Sequence, residues 1–157
     1  MIKTLAILLV SFTISVPAKI DRLGFYRAFE SNSQKEMEGE LNKLKNLKPN
    51  SEMDAYIGAL TMKWSQFQKT PKDKMAVFKE GKELLEKVIA LFPENGEFRF
   101  LRFAIQENSP KILKYSDNIE EDLEIIYKSY SSLNVTLKKV IREYAKQSEN
   151  LSSSKLK

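Results

Sequence analysis

The stretch Lys82–Asp122, KELLEKVIALFPENGEFRFLRFAIQENSPKILKYSDNIEED, decides the fold class. It begins as the end of an amphipathic helix. Pro93, Asn95 and Gly96 then break the chain, a strongly apolar helix follows, and Ser109-Pro110 breaks it again. Two helices joined by so short a turn form an α-hairpin. At about 100° per residue, Phe98, Phe100, Leu101, Phe103, Ala104 and Ile105 cover an arc of roughly 220°, so this helix must meet neighbours on two sides. The remaining strip carries Arg99, Arg102 and Gln106. Two readings of it stay open. The arginines run past aromatic rings to pair with carboxylates of the protein itself, or they line a groove for an anionic or peptide ligand.

The 157 residues suit one domain. Hydrophobic residues make up 42%, with nine Phe, six Tyr and one Trp, enough for a core. Charged residues at 30%, with five Gly and five Pro, suit a helical chain better than a sheet or a disordered one. The net charge of +5 comes from lysines interleaved with acids and not from a basic run, so no nucleic-acid partner is expected. There is no Cys and no His. Thiolate nucleophiles, imidazole bases, disulfides and Cys/His metal sites are excluded, and neither a metal nor another cofactor is expected.

Residues 1–18, MIKTLAILLVSFTISVPA, carry Lys3 and then an apolar run from Leu5 to Val16. Their end, Val16-Pro17-Ala18, has small residues where a signal peptidase reads. This is the pattern of a cleavable signal, with the mature chain starting at Lys19. The run of about 12 residues is too short to cross a hydrocarbon core about 30 Å thick, so no stable membrane span is expected. An exported chain without Cys fits a bacterial envelope, periplasmic or secreted.

From Ile20 to Ser31, Leu23, Phe25, Tyr26 and Phe29 predict a first helix with an aromatic face. Ser33-Gln34-Lys35-Glu36 is a capping box opening a second, with Met37, Leu41, Leu44 and Leu47 inward and Pro49 closing it. Ser51 opens a third through Tyr56, Ile57, Leu60, Trp64 and Phe67. Thr70-Pro71-Lys72-Asp73 starts the fourth and longest, which carries Leu85, Val88, Ile89, Leu91 and reaches Phe92. After the apolar helix come a short piece with Ile112, Leu113 and Tyr115, then a helix from Asp117-Asn118 with Ile119, Leu123, Ile126, Tyr127 and Tyr130 inward. Asn134 caps the last. That makes seven to eight helices, one of them short, in one all-α domain over residues 19–146. Residues 147–157, QSENLSSSKLK, read as a disordered tail.

A weak repeat underlies this series. Setting Pro49 on Pro93 aligns LNKLKNLKP with LEKVIALFP, and Ala59-Leu60 falls on Ala104-Ile105, at a spacing of about 44 residues with two helices per unit. In the proline closing the second helix of each unit and the small residue midway along the next, residues 33–108 resemble the tetratricopeptide-like α-hairpin repeats. The spacing exceeds the usual 34 or so of that family, and Ala55 stands where Phe100 supplies the large aromatic in the other unit. The resemblance implies stacked antiparallel α-hairpins and a concave surface that binds a protein or peptide. Here that surface would draw on Arg22, Tyr26, Tyr56, Lys63, Arg99, Arg102 and Gln106, with Asn108 in the adjoining turn. The run EFRFLR (97–102) followed by NSPKIL (108–113) is also similar to a group of exported bacterial helical proteins without an assigned activity.

Glu120, Glu121, Asp122 and Glu124 gather acids. Consecutive helical residues diverge by about 100°, and carboxylates in a first turn answer the helix dipole, so the cluster reads as structural. Trp64 with Phe67 reads as core and not as a ligand platform. The last helix, VTLKKVIREYAK, reads as a cationic cap over the core, with a membrane-surface role as the alternative. The expectation is a non-catalytic envelope protein that binds another protein or a peptide. A module for an anionic small molecule or glycan on Arg99, Arg102 and Gln106 is the second reading, and a carboxylate-dependent cell-wall hydrolase the third. A hydrolase needs a carboxylate in a deep pocket. A groove binder needs exposed, unpaired arginines, and a scaffold bonds them to its own carboxylates and carbonyls.

Overall fold

The computed structural model describes residues 20–157; the cleavable signal expected at 1–18 and the expected mature start at Lys19 lie outside the described residues. Among the described residues seven α-helices follow one another: α1 Arg22–Glu30, α2 Gln34–Lys45, α3 Ser51–Trp64, α4 Pro71–Leu91, α5 Gly96–Asn108, α6 Ile119–Ser129 and α7 Val135–Tyr144. Single 3-10 turns occupy Ser65–Phe67, Lys111–Leu113, Tyr130–Ser132 and Ser153–Lys155. No strand occurs among the described residues.

Most helix starts are fixed by one side-chain acceptor that takes an otherwise orphaned amide. Asp21 Oδ1 accepts from Gly24 N at 3.0 Å, Thr70 Oγ1 from Asp73 N at 3.1 Å, and Asn134 Oδ1 from Leu137 N at 2.9 Å. Asn95 Oδ1 serves two amides of α5, Glu97 N at 3.0 Å and Phe98 N at 3.1 Å. Two starts differ from the sequence expectation. The capping box at 33–36 is half made: Ser33 Oγ accepts from Glu36 N, but Ser33 N turns to Ser31 Oγ at 3.2 Å. The cap of α3 is Asn50 and not Ser51, because the extended backbone after Pro49 brings Asn50 Oδ1 to 3.0 Å from Met53 N.

The tightest pair is α3 with α4, and two glycines make it so. A Cβ on Gly58 would stand 2.8 Å from Gly81 O, and one on Gly81 would stand 2.5 Å from Gly58 O. Backbone touches backbone there. α5 packs against α3, α4 and α6, while α2 lies on α3 and α1 on α2 and α3. α1 also meets α7. The series therefore closes on itself, whereas in an open solenoid each repeat touches only its neighbours.

α5 sits where the sequence puts it. Every residue from Gly96 to Gln106 is buried. Tyr144 of α7 meets Phe100 edge-on at 5.4 Å and Phe103 at 5.9 Å. Four apolar residues expected inward are exposed: Leu23, Leu91, Phe92 and Ile112. Leu91 and Phe92 fall where α4 ends and the chain turns toward α5, at the end of the bundle. Ile112 rides on a 3-10 turn that stands off the core, while Leu113 and Tyr115 turn back in. The disordered tail expected at 147–157 is corrected as well. Leu151 and Leu156 are buried in the core, and Ser152 N donates to Tyr127 OH at 2.8 Å.

Candidate functional site

Three charges on α5 run through the core, and they face two ways. Glu97 faces α1 and α3. Arg22 Nε lies 3.3 Å from each of its oxygens, Tyr26 OH donates at 3.3 Å, and Tyr56 OH donates to the same Oε1. Arg22 is also paired with Glu52. Burial pushes the Glu97 carboxyl above its ordinary range, with Tyr56 and Arg22 pulling the other way. Burial, reinforced by Glu97, lifts the Tyr26 and Tyr56 phenols far above theirs.

Arg99 and Arg102 face α6 and α4, and they are 5% and 4% exposed. Arg99 Nε donates to Pro93 O at 2.7 Å, and its Nη1 reaches Glu121 at 2.8 Å and Asp122 at 3.0 Å. Arg102 grips Asp122 with two parallel bonds, Nε to Oδ2 at 2.8 Å and Nη2 to Oδ1 at 2.6 Å, the bidentate form that suits guanidinium and carboxylate. Its Nη1 donates to Glu86 at 2.8 Å, and Glu86 also accepts from Tyr115 OH at 2.5 Å. Asp122 is fully enclosed, at 0% exposure. Burial pulls the Arg102 guanidinium down, but Asp122 and Glu86 outweigh it and hold the group above its ordinary value. A groove for anionic ligands built on these two arginines has no free guanidinium to use.

The other expected site residues go elsewhere. Tyr56 is enclosed beside Glu97. Lys63 donates to Phe29 O and lies 4.8 Å over the Phe29 ring, and burial lowers its pKa against the pull of Glu30. Gln106 Nε2 reaches Asn118 Oδ1 at 3.2 Å. Asn108 Nδ2 donates to Ala104 O at 2.9 Å and Tyr144 OH at 2.7 Å. The six residues do not converge on one surface. Asp122 was the residue hidden among the acids of 117–124. Its only signal is that it stands four residues before Ile126, on the inward stripe of α6.

Two clefts open elsewhere. One, of about 360 Å³, lies between the end of α5, Tyr144 and the chain after α7. Asn108 and the carboxylates Glu107 and Glu149 line it, and Glu107 already accepts from Tyr144 OH at 2.7 Å, Ser148 Oγ at 2.7 Å, and Asn150 N and Nδ2 at 3.0 and 2.9 Å. Burial alone would raise this carboxyl, but the donors outweigh it and hold it below its ordinary value. Glu107 thus fastens the tail. The second, of about 310 Å³, runs between α2 and α4 over α3. Leu41, Thr61, Trp64 and Val77 line it together with Glu38, Asn42, Lys45 and Glu80. Trp64 Nε1 is buried with no acceptor among the described residues.

Among the described residues no acid cluster is arranged to hold a metal, and no helix is long and apolar enough to cross a membrane. No family model, curated protein or solved structure matches this chain.

Proposed function

We propose that this is a non-catalytic helical protein of the bacterial envelope that binds a peptide segment of another protein in the groove over α3. The groove itself carries the reading: Leu41, Val77 and the Trp64 ring offer apolar surface, and Glu38, Asn42, Lys45 and Glu80 supply polar and charged side chains around it. The paired helices favour a tetratricopeptide-like arrangement, from which the contact of α1 with α7 departs. Against hydrolysis stands the state of the three buried carboxylates. Glu97 and Asp122 are each bonded to several donors, Glu40 is paired with Lys43, and none of them lines either cleft. The apolar leader supports export.

Trp64 is the chain's one tryptophan, so its emission reports on the groove. Peptides captured from an array of envelope-protein segments should shift that emission on titration. Val77→Glu, half-buried in the groove wall, should abolish the shift while leaving the helical circular dichroism unchanged. Captured peptides that leave Trp64 unaffected, or that bind Val77→Glu as well as the wild type, would refute the assignment.

A further inference from the structure

Three large apolar side chains stand open to water at one end of the bundle: Leu91 at 62%, Phe92 at 45% and Val135 at 68%. Leu91 and Phe92 close α4, and Val135 opens α7. The turn after α4 and the connection before α7 meet at a seam. Gly96, just past the α4–α5 turn, backs onto Ser129 and Leu133. Across the same seam Lys128 Nζ bonds Glu94 at 2.7 Å. Phe92 is held from below by the Phe98 ring, 6.1 Å away and nearly perpendicular, and is open above.

Cations surround these side chains in a regular way. Lys87 lies four residues before Leu91 on α4, and Lys139 lies four residues after Val135 on α7, so each shares a helix face with its apolar neighbour. Both lysines are exposed, and neither pairs with a carboxylate among the described residues. Lys138 adds a third charge, bonded to the Ser131 carbonyl beside the Tyr130 ring. Glu94, the acid of the seam, is taken up by Lys128. The result is an apolar tip with a cationic edge. α7 does not lie flat on anything with its own apolar face, because Leu137, Ile141 and Tyr144 are buried in the core.

Such a surface complements the interface of an anionic bilayer. Apolar tips enter at headgroup depth, while lysine stems lie along the acyl boundary and place their ammonium groups among phosphates. We propose that this end of the bundle docks on an anionic lipid bilayer through Leu91, Phe92 and Val135, with Lys87, Lys138 and Lys139 holding the headgroups. The peptide groove is lined by none of these residues, so the two proposals stand or fall separately.

The test places the probe in the tip, since the leader by itself can hold a full chain on a vesicle. In the full chain with Trp64→Phe, Phe92→Trp is titrated with vesicles of phosphatidylglycerol bearing brominated acyl chains. Its emission should shift to the blue and be quenched, and phosphatidylcholine vesicles brominated alike should leave it unquenched. Lys87→Glu with Lys139→Glu should raise the lipid needed for half-quenching by roughly 25-fold or more, at about five-fold per lysine. Val135→Trp repeats the measurement should Phe92→Trp lose its helical signal. Emission unchanged on vesicles that carry the protein down, or quenching equal on neutral lipid, overturns the proposal. So does an emission shift without lipid that grows with protein concentration, which would assign the tip to a second copy of the chain.

Discussion

Asp122 meets two guanidiniums and no water. Removing one partner of a buried pair leaves the other charge unpaired, so Asp122→Asn or Arg102→Ala should each cost about 3–5 kcal/mol in urea unfolding. Glu121→Gln, whose carboxylate is half in solvent, should cost less than about 1 kcal/mol. Arg99→Ala with Arg102→Ala should therefore collapse stability and not merely weaken a ligand. The sequence made both roles of these arginines legible, pairing or groove, and contained the partner without marking it. Asp122 is one acid among several in a first helical turn, where the helix dipole already accounts for acids. Only the three-dimensional meeting of α5 and α6 separates it from its exposed neighbours.

Helix pairing turns on glycine in one place. The crossing of α3 and α4 leaves no room at Gly81, where a Cβ would stand 2.5 Å from the Gly58 carbonyl, 2.7 Å from Met62 Cγ and 2.8 Å from the Met62 amide. Backbone does not give way as a side-chain tip does, so Gly81→Ala should destabilise by about 1–3 kcal/mol. Gly39, exposed in α2, has nothing within 4 Å of a Cβ, and Gly39→Ala should stabilise by up to about 1 kcal/mol through helix propensity. Thermal melts of the two variants read opposite signs. The elements themselves were legible because caps and apolar spacing are local: Thr70-Pro71 and Asn134 start helices where expected. The closest approach was not. Ala59 and Ala104 marked small positions, yet the contact falls one residue earlier in α3 and onto a glycine deep in α4, a pairing set by the crossing of two axes.

Across the whole molecule the tail binds the far ends of the helices together. Leu151 and Leu156, each buried, contribute about 1.5–3 kcal/mol apiece, so a chain ending at Gln147 should be measurably less stable to urea. At the tail and on α5, two carboxyls shift in opposite directions, Glu107 down and Glu97 up. Glu107, held below its ordinary value, lends stability above the usual carboxylate range and loses it as pH falls through its lowered value. Glu97, raised by burial, favours the fold most in acid, and that contribution fades as pH rises through its raised value. Acidification should therefore loosen the tail before α5. Amide exchange protection at Asn150 and Ser152 should fall first, with α5 protected still; simultaneous loss would contradict the latch. The tail read as disordered because two isolated leucines and backbone bonds leave no periodic trace. The meeting of α1 with α7 was equally silent, since spacing speaks only of a residue's own element.

The two-sided fastening of α5 also imposes a timetable on synthesis. Glu97 finds Arg22, Tyr26 and Tyr56 on helices the ribosome has already released, whereas the grip of Arg102 waits for Asp122, 20 residues further along the chain. In that interval Arg99 has no carboxylate partner, Arg102 has Glu86 alone, and the side of the apolar helix that faces α6 stays uncovered. A nascent chain stalled before α6 should remain open to proteases and chaperones, and the quality-control machinery would recognise it by its aromatic stripe.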